Sequence, residues 1–476
     1  MTLSKLAVVV LAAGQGTRMK SSLPKVLHRI AGRTLLDYVL DAVAGLMPER
    51  IVVVIAPDMP ALADAVAARA GGRVRTAIQD RQLGTGHAVA CAKAELTGYH
   101  GPDGSGDVLV VFGDTPLLTL ETLQALCARR RAANAPDLLG LAFRPADPAQ
   151  YGRFVLDGKG QVERIVEYND ASPAERAIGV CNAGVMLARG PVLFSLIERL
   201  GTDNAKGEYY LTDLFALAAA AGHRTGIAEA NAEEVLGINS RAELAAAEAV
   251  MQRRLRAAAL AGGATLVDPG SVWLSADTRL GRDVVVQPNV YFGPGVAVGD
   301  DAEIRAFCHL EGATIEAGAV IGPYARLRPG TVVGAGARIG NFVETKNAVL
   351  GPGAKANHLT YLGDAQVGAK ANIGAGTITC NYDGFGKHRT YVGEGAFIGS
   401  NTALVAPVRI GKGAIVGAGS TITEDVAADA LAVGRGPQTA RAGAAKRFRA
   451  RRDAAVAAKS KDSSGRTKTR KRRKDG

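Results

Sequence analysis

The sequence predicts an α/β domain with a mostly parallel sheet, joined by a helix to a parallel β-helix. Two patterns carry this reading. Up to about residue 239, short Val-rich runs alternate with helical stretches. From 280 onward, an aliphatic residue returns with a period of six.

LAVVVLAA (6–13), RIVVVIAP (50–57) and DVLVVFGD (107–114) are bounded by Gly, Pro or Asp. Such runs suit strands buried on both faces. Helical stretches between them, 35–46 and 59–69 for example, complete a βαβα alternation and hence a helix-covered sheet. Ligands of such sheets bind at the carboxyl ends of the strands. Residues 240–262 read as one helix. Ser240 and Glu243 have capping-box spacing, the centre is Ala-rich, and Gly262-Gly263 ends it. At about 33 Å it suits a strut between domains.

Of 24 hexad positions between 280 and 422, 20 hold Leu, Ile or Val, and Gly follows in 14. An inward aliphatic knob, with a small residue permitting the corner, is the signature of a hexapeptide β-helix. The exceptions are Phe292, Thr345, Ala356 and Thr379. Apart from short phase slips, the period is interrupted by a 13-residue step from 379 to 392, where Asn381-Tyr382-Asp383-Gly384 and Lys387-His388 form a candidate functional loop. Domain boundaries follow: 1–239, a helical linker 240–262, a β-helix 263–440 and a basic tail 441–476.

The chain has 476 residues and a net charge of +12. The tail alone holds 15 Lys/Arg against 3 Asp/Glu, so the remaining 440 residues are neutral. A basic, nucleic-acid-binding body is therefore not implied. The tail is expected to be disordered at its end. It is either a solubilising segment or an anion-binding arm. Five scattered cysteines without CxxC argue against a disulfide framework and fit a reducing, cytoplasmic setting. Leu6–Ala13 is too short to span a membrane, and no membrane insertion is expected.

LAAGQGTRM (11–19) follows its strand directly, yet is neither GxGxxG nor a P-loop. Its Gly-rich turn, with Arg18 and Lys25, offers the amide donors and positive charge that a triphosphate needs. Gln79 and Gln82–His87 suit a nucleobase edge. Asp114 ends its strand and is either a helix cap or a ligand for Mg²⁺, which prefers one or two protein oxygens beside phosphates and water. Asn239 offers a neutral second oxygen. In the β-helix, Arg328 and Lys346 both follow a hexad knob, and two cations on one face suit a sugar phosphate. His358 suits a base that takes a proton from an amine, since free imidazole titrates at about 6.5.

LAAGQGTRM with Pro24-Lys25, QLGTGHA (82–88), GDTPL (113–117), YGR (151–153), IVEYND (165–170), CNAG (181–184) and NAKGEYYLTD (204–213) resemble the sugar-phosphate nucleotidyltransferases. NHLTYLGDA (357–365) and NIGAGTITCNYDG (372–384) narrow the resemblance. It points to the bacterial family of bifunctional N-acetylglucosamine-1-phosphate uridylyltransferases and glucosamine-1-phosphate N-acetyltransferases, over roughly 5–440.

The resemblance implies a Rossmann-like nucleotidyltransferase domain and a left-handed β-helix. It places UTP and the UDP-sugar on Leu11, Ala12, Ala13, Gly14, Arg18, Lys25, Gln79, Gly84, Thr85, Phe112, Gly113, Asp114, Gly152, Glu167, Asn182 and Asn239. Asp114 and Asn239 would hold Mg²⁺. Phe112 departs from the Tyr usual in the family. Glucosamine-1-phosphate would meet Arg328, Lys346, Tyr361 and Asn372, with His358 as catalytic base. Acetyl-CoA would meet Ala375, Asn381, Tyr382, Ser400, Ala418 and Arg435. Acetylation would precede uridylylation, giving UDP-N-acetylglucosamine for peptidoglycan and lipopolysaccharide. A homotrimer with sites between neighbouring β-helices is implied, with no nucleic-acid partner. The rival readings are a monofunctional nucleotidyltransferase with a structural β-helix, a zinc-dependent β-helix hydratase using His309, His358 and His388, and a scaffold without activity.

Overall fold

The computed structural model describes residues 5–69, 73–96, 106–132 and 134–471, with side chains described up to 459. The N-terminal domain is built on a nine-stranded sheet. Its strands are β1 (Leu6–Leu11), β2 (Arg50–Ile55), β3 (Val74–Ile78), β4 (Asp107–Phe112), β5 (Leu138–Phe143), β6 (Arg153–Leu156), β7 (Val162–Val166), β8 (Cys181–Arg189) and β9 (Thr225–Glu229). The main order is β9-β5-β8-β4-β1-β2-β3, with β6 and β7 forming a hairpin off β8.

β1 lies parallel between β2 and β4, with Val8 opposite Ile51 and Leu109. All six of its residues are buried, as expected of a central strand covered on both faces. The sheet is mostly parallel. β8 runs antiparallel to both β4 and β5.

The connecting helix spans Arg241–Ala261. Ser240 Oγ accepts from Glu243 N–H at 3.3 Å. The Glu243 carboxylate reaches back one residue further than a simple capping box, and accepts from the N–H of Asn239 at 2.8 Å. The helix also ties the domains together. Glu248 accepts from Ala31 N–H at 2.8 Å. Buried Gln252 donates to Leu274 C=O at 2.7 Å and accepts from Leu274 N–H at 2.9 Å.

The C-terminal domain is a stack of left-handed coils with three faces. Successive coils place Val286, Ile304 and Ile321 over one another on the first face. Val298, Ile315 and Val333 stack on the second, and Phe292, Leu310 and Leu327 on the third. All are buried. Thr345 and Thr379 are tolerated inside because their hydroxyls are paired. Thr345 shares a 3.0 Å hydrogen bond with Thr331, and Thr379 Oγ1 accepts from Gly363 N–H at 2.8 Å.

The small residue after the knob has a different cause from the one expected. Gly299 and Gly334 do not adopt left-handed backbone. A Cβ at either would lie 2.8 Å from the backbone of the next coil. These glycines allow close stacking of coils rather than turning. Left-handed corners fall elsewhere, at Phe307, Tyr324, Phe342 and Leu359 among others.

The tail also differs from expectation. Ala444–Lys471 is helical. Ala, Lys and Arg are good helix formers, and they override the charge. Residues 472–476 lie outside the described residues.

Candidate active sites

A cavity of about 330 Å³ opens at the carboxyl ends of β1 and β4. Leu11, Ala12, Ala13, Gly14, Lys25, Gln79, Gly84, Thr85, Phe112, Asp114 and Asn239 line it. Eleven of the anticipated residues thus converge. Gln82 and Glu208 join them. Gln82 donates to Ala13 C=O at 2.7 Å and so braces the loop after β1. Gly84 is left-handed (φ +109°), and a Cβ there would strike the Tyr209 backbone.

Lys25 Nζ donates to Asp114 Oδ2 and, at 2.8 Å, to Asn239 Oδ1. Both oxygens therefore converge on one cationic point, although 125 residues of chain separate them. Asn239 stands there because Glu243 fixes its backbone at the helix start. A pair of hard oxygens beside a phosphate-sized cavity is a donor set that fits Mg²⁺.

A second cavity of about 300 Å³ adjoins the first, since Thr85 and Glu208 line both. It carries Glu167, Lys206 and Tyr210. Burial pushes the Glu167 carboxyl above its ordinary range, against a 3.1 Å hydrogen bond from Thr212. Gly152 packs against Glu167; a Cβ there would lie 3.5 Å from the carboxylate oxygens. Gly152 C=O accepts from Asn182 N–H at 2.9 Å, so the three anticipated sugar residues stand together. Phe112 packs on Gly184, where a Cβ would lie 2.8 Å from the ring. Gly113 donates to Leu11 C=O at 2.9 Å and holds β1 to β4 at the cavity floor. Arg18 is exposed on the turn Thr17–Met19 and does not line the cavity.

The β-helix divides its candidate residues between two faces. On the third face, Leu327 pairs with Thr345, which stacks Arg328 over Lys346. Arg328 bonds Glu344 at 2.9 Å. The Lys346 ammonium is held below the usual lysine range by Lys387 first, then by burial and Arg328. Lys387, on the ejected loop, completes a three-cation cluster that hexad spacing does not reveal. Asp383 anchors that loop, accepting from Gly386 N–H at 2.7 Å and Phe385 N–H at 2.8 Å and pairing with His388 at 2.8 Å. Asn381 donates to Asp364 at 2.6 Å, close to the Tyr361 side chain at Gly363. Tyr382 is exposed on the same loop.

On the first face the register puts His358 beside Asn341, and Ile373 beside Ala356 and Ile398. Ala375 and Ser400 continue the His358 column, followed by Ala418. Arg435 Cδ lies 3.7 Å from the Cβ position of neighbouring Gly419, at the column's end. His358, Ala375, Ser400 and Ala418 thus form a track ending in a cation. Asn372 lies on this face beside Lys355 and Phe397, apart from the cation cluster. Below His358 a groove of about 410 Å³ is lined by Arg305, Arg338 and Asn341 among others. Among the described residues no group of three His, Cys, Asp or Glu side chains comes together, so His309, His358 and His388 make no zinc site.

A sheet with a cavity at its strand ends that brings Lys25, Asp114 and Asn239 together, followed by a hexapeptide solenoid, is the architecture of a nucleotidyltransferase fused to an acyltransferase. A MobA-like NTP transferase domain matches residues 8–180, and bacterial transferase hexapeptide repeats match 277–312, 312–347 and 389–424. The bifunctional protein GlmU of Paramagnetospirillum magneticum is 56% identical over 459 residues, covering 96% of this chain and all of that protein. GlmU of Rhodospirillum rubrum is 59% identical, covering 94% and 98%. GlmU of Xanthobacter autotrophicus is 57% identical, with the same coverage. The chain belongs to the GlmU family of bifunctional uridylyltransferase–acetyltransferases.

Proposed function

We propose that the chain makes UDP-N-acetylglucosamine in two steps. The β-helix acetylates glucosamine-1-phosphate with acetyl-CoA. The N-terminal domain then transfers uridylyl from UTP to N-acetylglucosamine-1-phosphate. The convergence of Lys25, Asp114 and Asn239 on a cavity beside the Glu167 pocket carries the second assignment.

In that step the sugar phosphate oxygen attacks the α-phosphorus of UTP and pyrophosphate leaves. The nucleophile is already an anion, so no protein base is needed. Gln79, Gly84 and Thr85 face the uracil side; Gly152, Glu167 and Asn182 hold the sugar. Lys25 and the Leu11–Gly14 amides offset phosphate charge. Positioning and electrostatics carry such a transfer. Asp114 and Asn239 would hold Mg²⁺, which when bound neutralises phosphate charge.

In acetyl transfer the glucosamine nitrogen attacks the thioester carbonyl. His358 takes the amine proton and passes it to the leaving sulfur, so CoA departs as the thiol. The column Ala375, Ser400 and Ala418, capped by Arg435, suits an extended acetyl-CoA, with Asn381 and Tyr382 contacting it from the loop. Arg328, Lys346, Tyr361 and Asn372 suit the sugar phosphate, with Lys387 added.

The separation of cations and histidine on two faces favours a trimer whose sites combine neighbouring chains. An exposed ladder points the same way. Phe307 stacks on Tyr324 at 4.8 Å, Tyr324 on Phe342 at 5.3 Å, and Leu359 follows beside His358. Such a patch suits burial against another copy. No described helix is long and apolar enough to cross a membrane. A cytoplasmic enzyme fits the precursor chemistry.

The test is one reaction with glucosamine-1-phosphate, acetyl-CoA, UTP and Mg²⁺, read by mass spectrometry. UDP-N-acetylglucosamine with free CoA and pyrophosphate is expected. Accumulation of N-acetylglucosamine-1-phosphate alone would remove the uridylyl assignment.

A further inference from the structure

We infer that Asn341 is the positioning residue of the acetyl-transfer base, holding His358 in the tautomer whose Nε2 carries the lone pair. The inference rests on the reading of His358 as that base. Asn341 and His358 are register partners on adjacent coils. His358 Nδ1 lies 2.7 Å from Asn341 Oδ1. An amide oxygen only accepts, so Nδ1 carries the hydrogen and Nε2 is left free to take a proton.

The backbone reinforces this placement. Asn341 C=O accepts from Leu359 N–H at 3.0 Å. His358 C=O accepts from Thr360 Oγ1 at 2.8 Å and from Gly376 N–H at 3.3 Å. The ring is thus anchored on the preceding coil, and the main chain on both the preceding and the following coils. The neighbouring column positions, Pro323 and Ala375, have no side chain able to replace Asn341. Among the described residues, the bond to Asn341 is the one side-chain hydrogen bond His358 makes.

The choice of an amide also has a consequence. A carboxylate at this position would favour the imidazolium and keep the base protonated. Asn341 orients the ring without adding charge. The charged groups lining the groove beside it are Arg305, paired with Glu303 at 3.1 Å, and Arg338. Two cations and one anion therefore line that groove, and Asn341 leaves this balance unchanged.

The experiment compares Asn341→Leu, Asn341→Asp and His358→Ala in the full chain. Uridylyl transfer in the same samples reports on folding. For Asn341→Leu, kcat of acetyl transfer should fall about tenfold to a hundredfold while both KM values hold. For Asn341→Asp, acetyl transfer should persist, with the acid limb of its pH profile about one pH unit higher. An unchanged kcat in Asn341→Leu, or an unchanged profile in Asn341→Asp, would overturn the positioning role. Retained acetyl transfer in His358→Ala would instead overturn the base assignment on which it rests.

Discussion

Lys25 binds the same two oxygens that would hold the metal, so the ammonium and a divalent ion compete for Asp114 and Asn239. Nucleotide phosphates would give Lys25 another partner and free the pair. Lys25→Met should therefore bind Mn²⁺ more tightly than wild type when no nucleotide is present, by about tenfold, as read by electron paramagnetic resonance. Equal affinity would remove the competition. Asp114→Ala should lose uridylyl transfer and keep acetyl transfer, which places its role in one domain alone. Lys346 gives a pH signature. Lys387 holds it below the ordinary lysine range, so it loses its charge at a lower pH than a free lysine. Below that point the phosphate meets a full cation; above it, one charge is gone. KM for glucosamine-1-phosphate should rise on the alkaline side, and Lys387→Ala should move that rise to higher pH. A rise at the same pH in both proteins would assign it to the substrate.

At the scale of elements, the hexad glycines and the helix cap are the fragile points. Gly334→Ala would press a methyl against the backbone of Gly351 and Pro352. Overpacking of this kind costs about 1–3 kcal/mol, and thermal unfolding should show the β-helix melting earlier. An unchanged melting temperature would contradict close coil stacking as the glycine's purpose. The strands and coils were legible because burial imposes their periods: continuous Val runs for a sheet covered twice, one knob in six for a solenoid. The Leu11–Gly14 mouth was legible because one strand end carries it. Lys387 beside Lys346, and Asn341 beside His358, join residues distant in sequence through coil stacking, and no local pattern records that. The tail's helix over Ala444–Lys471 follows its Ala, Lys and Arg propensities, which its charge conceals. Asn239 offers a second oxygen in the sequence, but no local spacing ties it to Asp114. The Ser240–Glu243 cap is legible in the spacing, but its reach to the Asn239 N–H is not.

For the whole molecule, the decisive question is which chain supplies which half of the acetyltransferase site. Arg328 and Lys346 lie on the third face with Lys387 of the ejected loop beside them, whereas His358 and the Ala375–Ser400–Ala418 column lie on the first. If a neighbouring copy covers the Phe307–Tyr324–Phe342 ladder, its cations reach a histidine face that its own fold turns away from them. Mixed assembly distinguishes the two cases. His358→Ala and Lys346→Ala should each be inactive in acetyl transfer when expressed alone. Co-expressed and randomly mixed, a shared site needs His358 from one chain and Lys346 from the next, so about a quarter of the sites should be intact. Recovery to that fraction of wild-type kcat is expected. Each variant would still make UDP-N-acetylglucosamine from supplied N-acetylglucosamine-1-phosphate, which verifies the fold of the partner domain. No recovery in verified mixed trimers would place both halves of the site on one chain, and the ladder would then need another reason to be exposed.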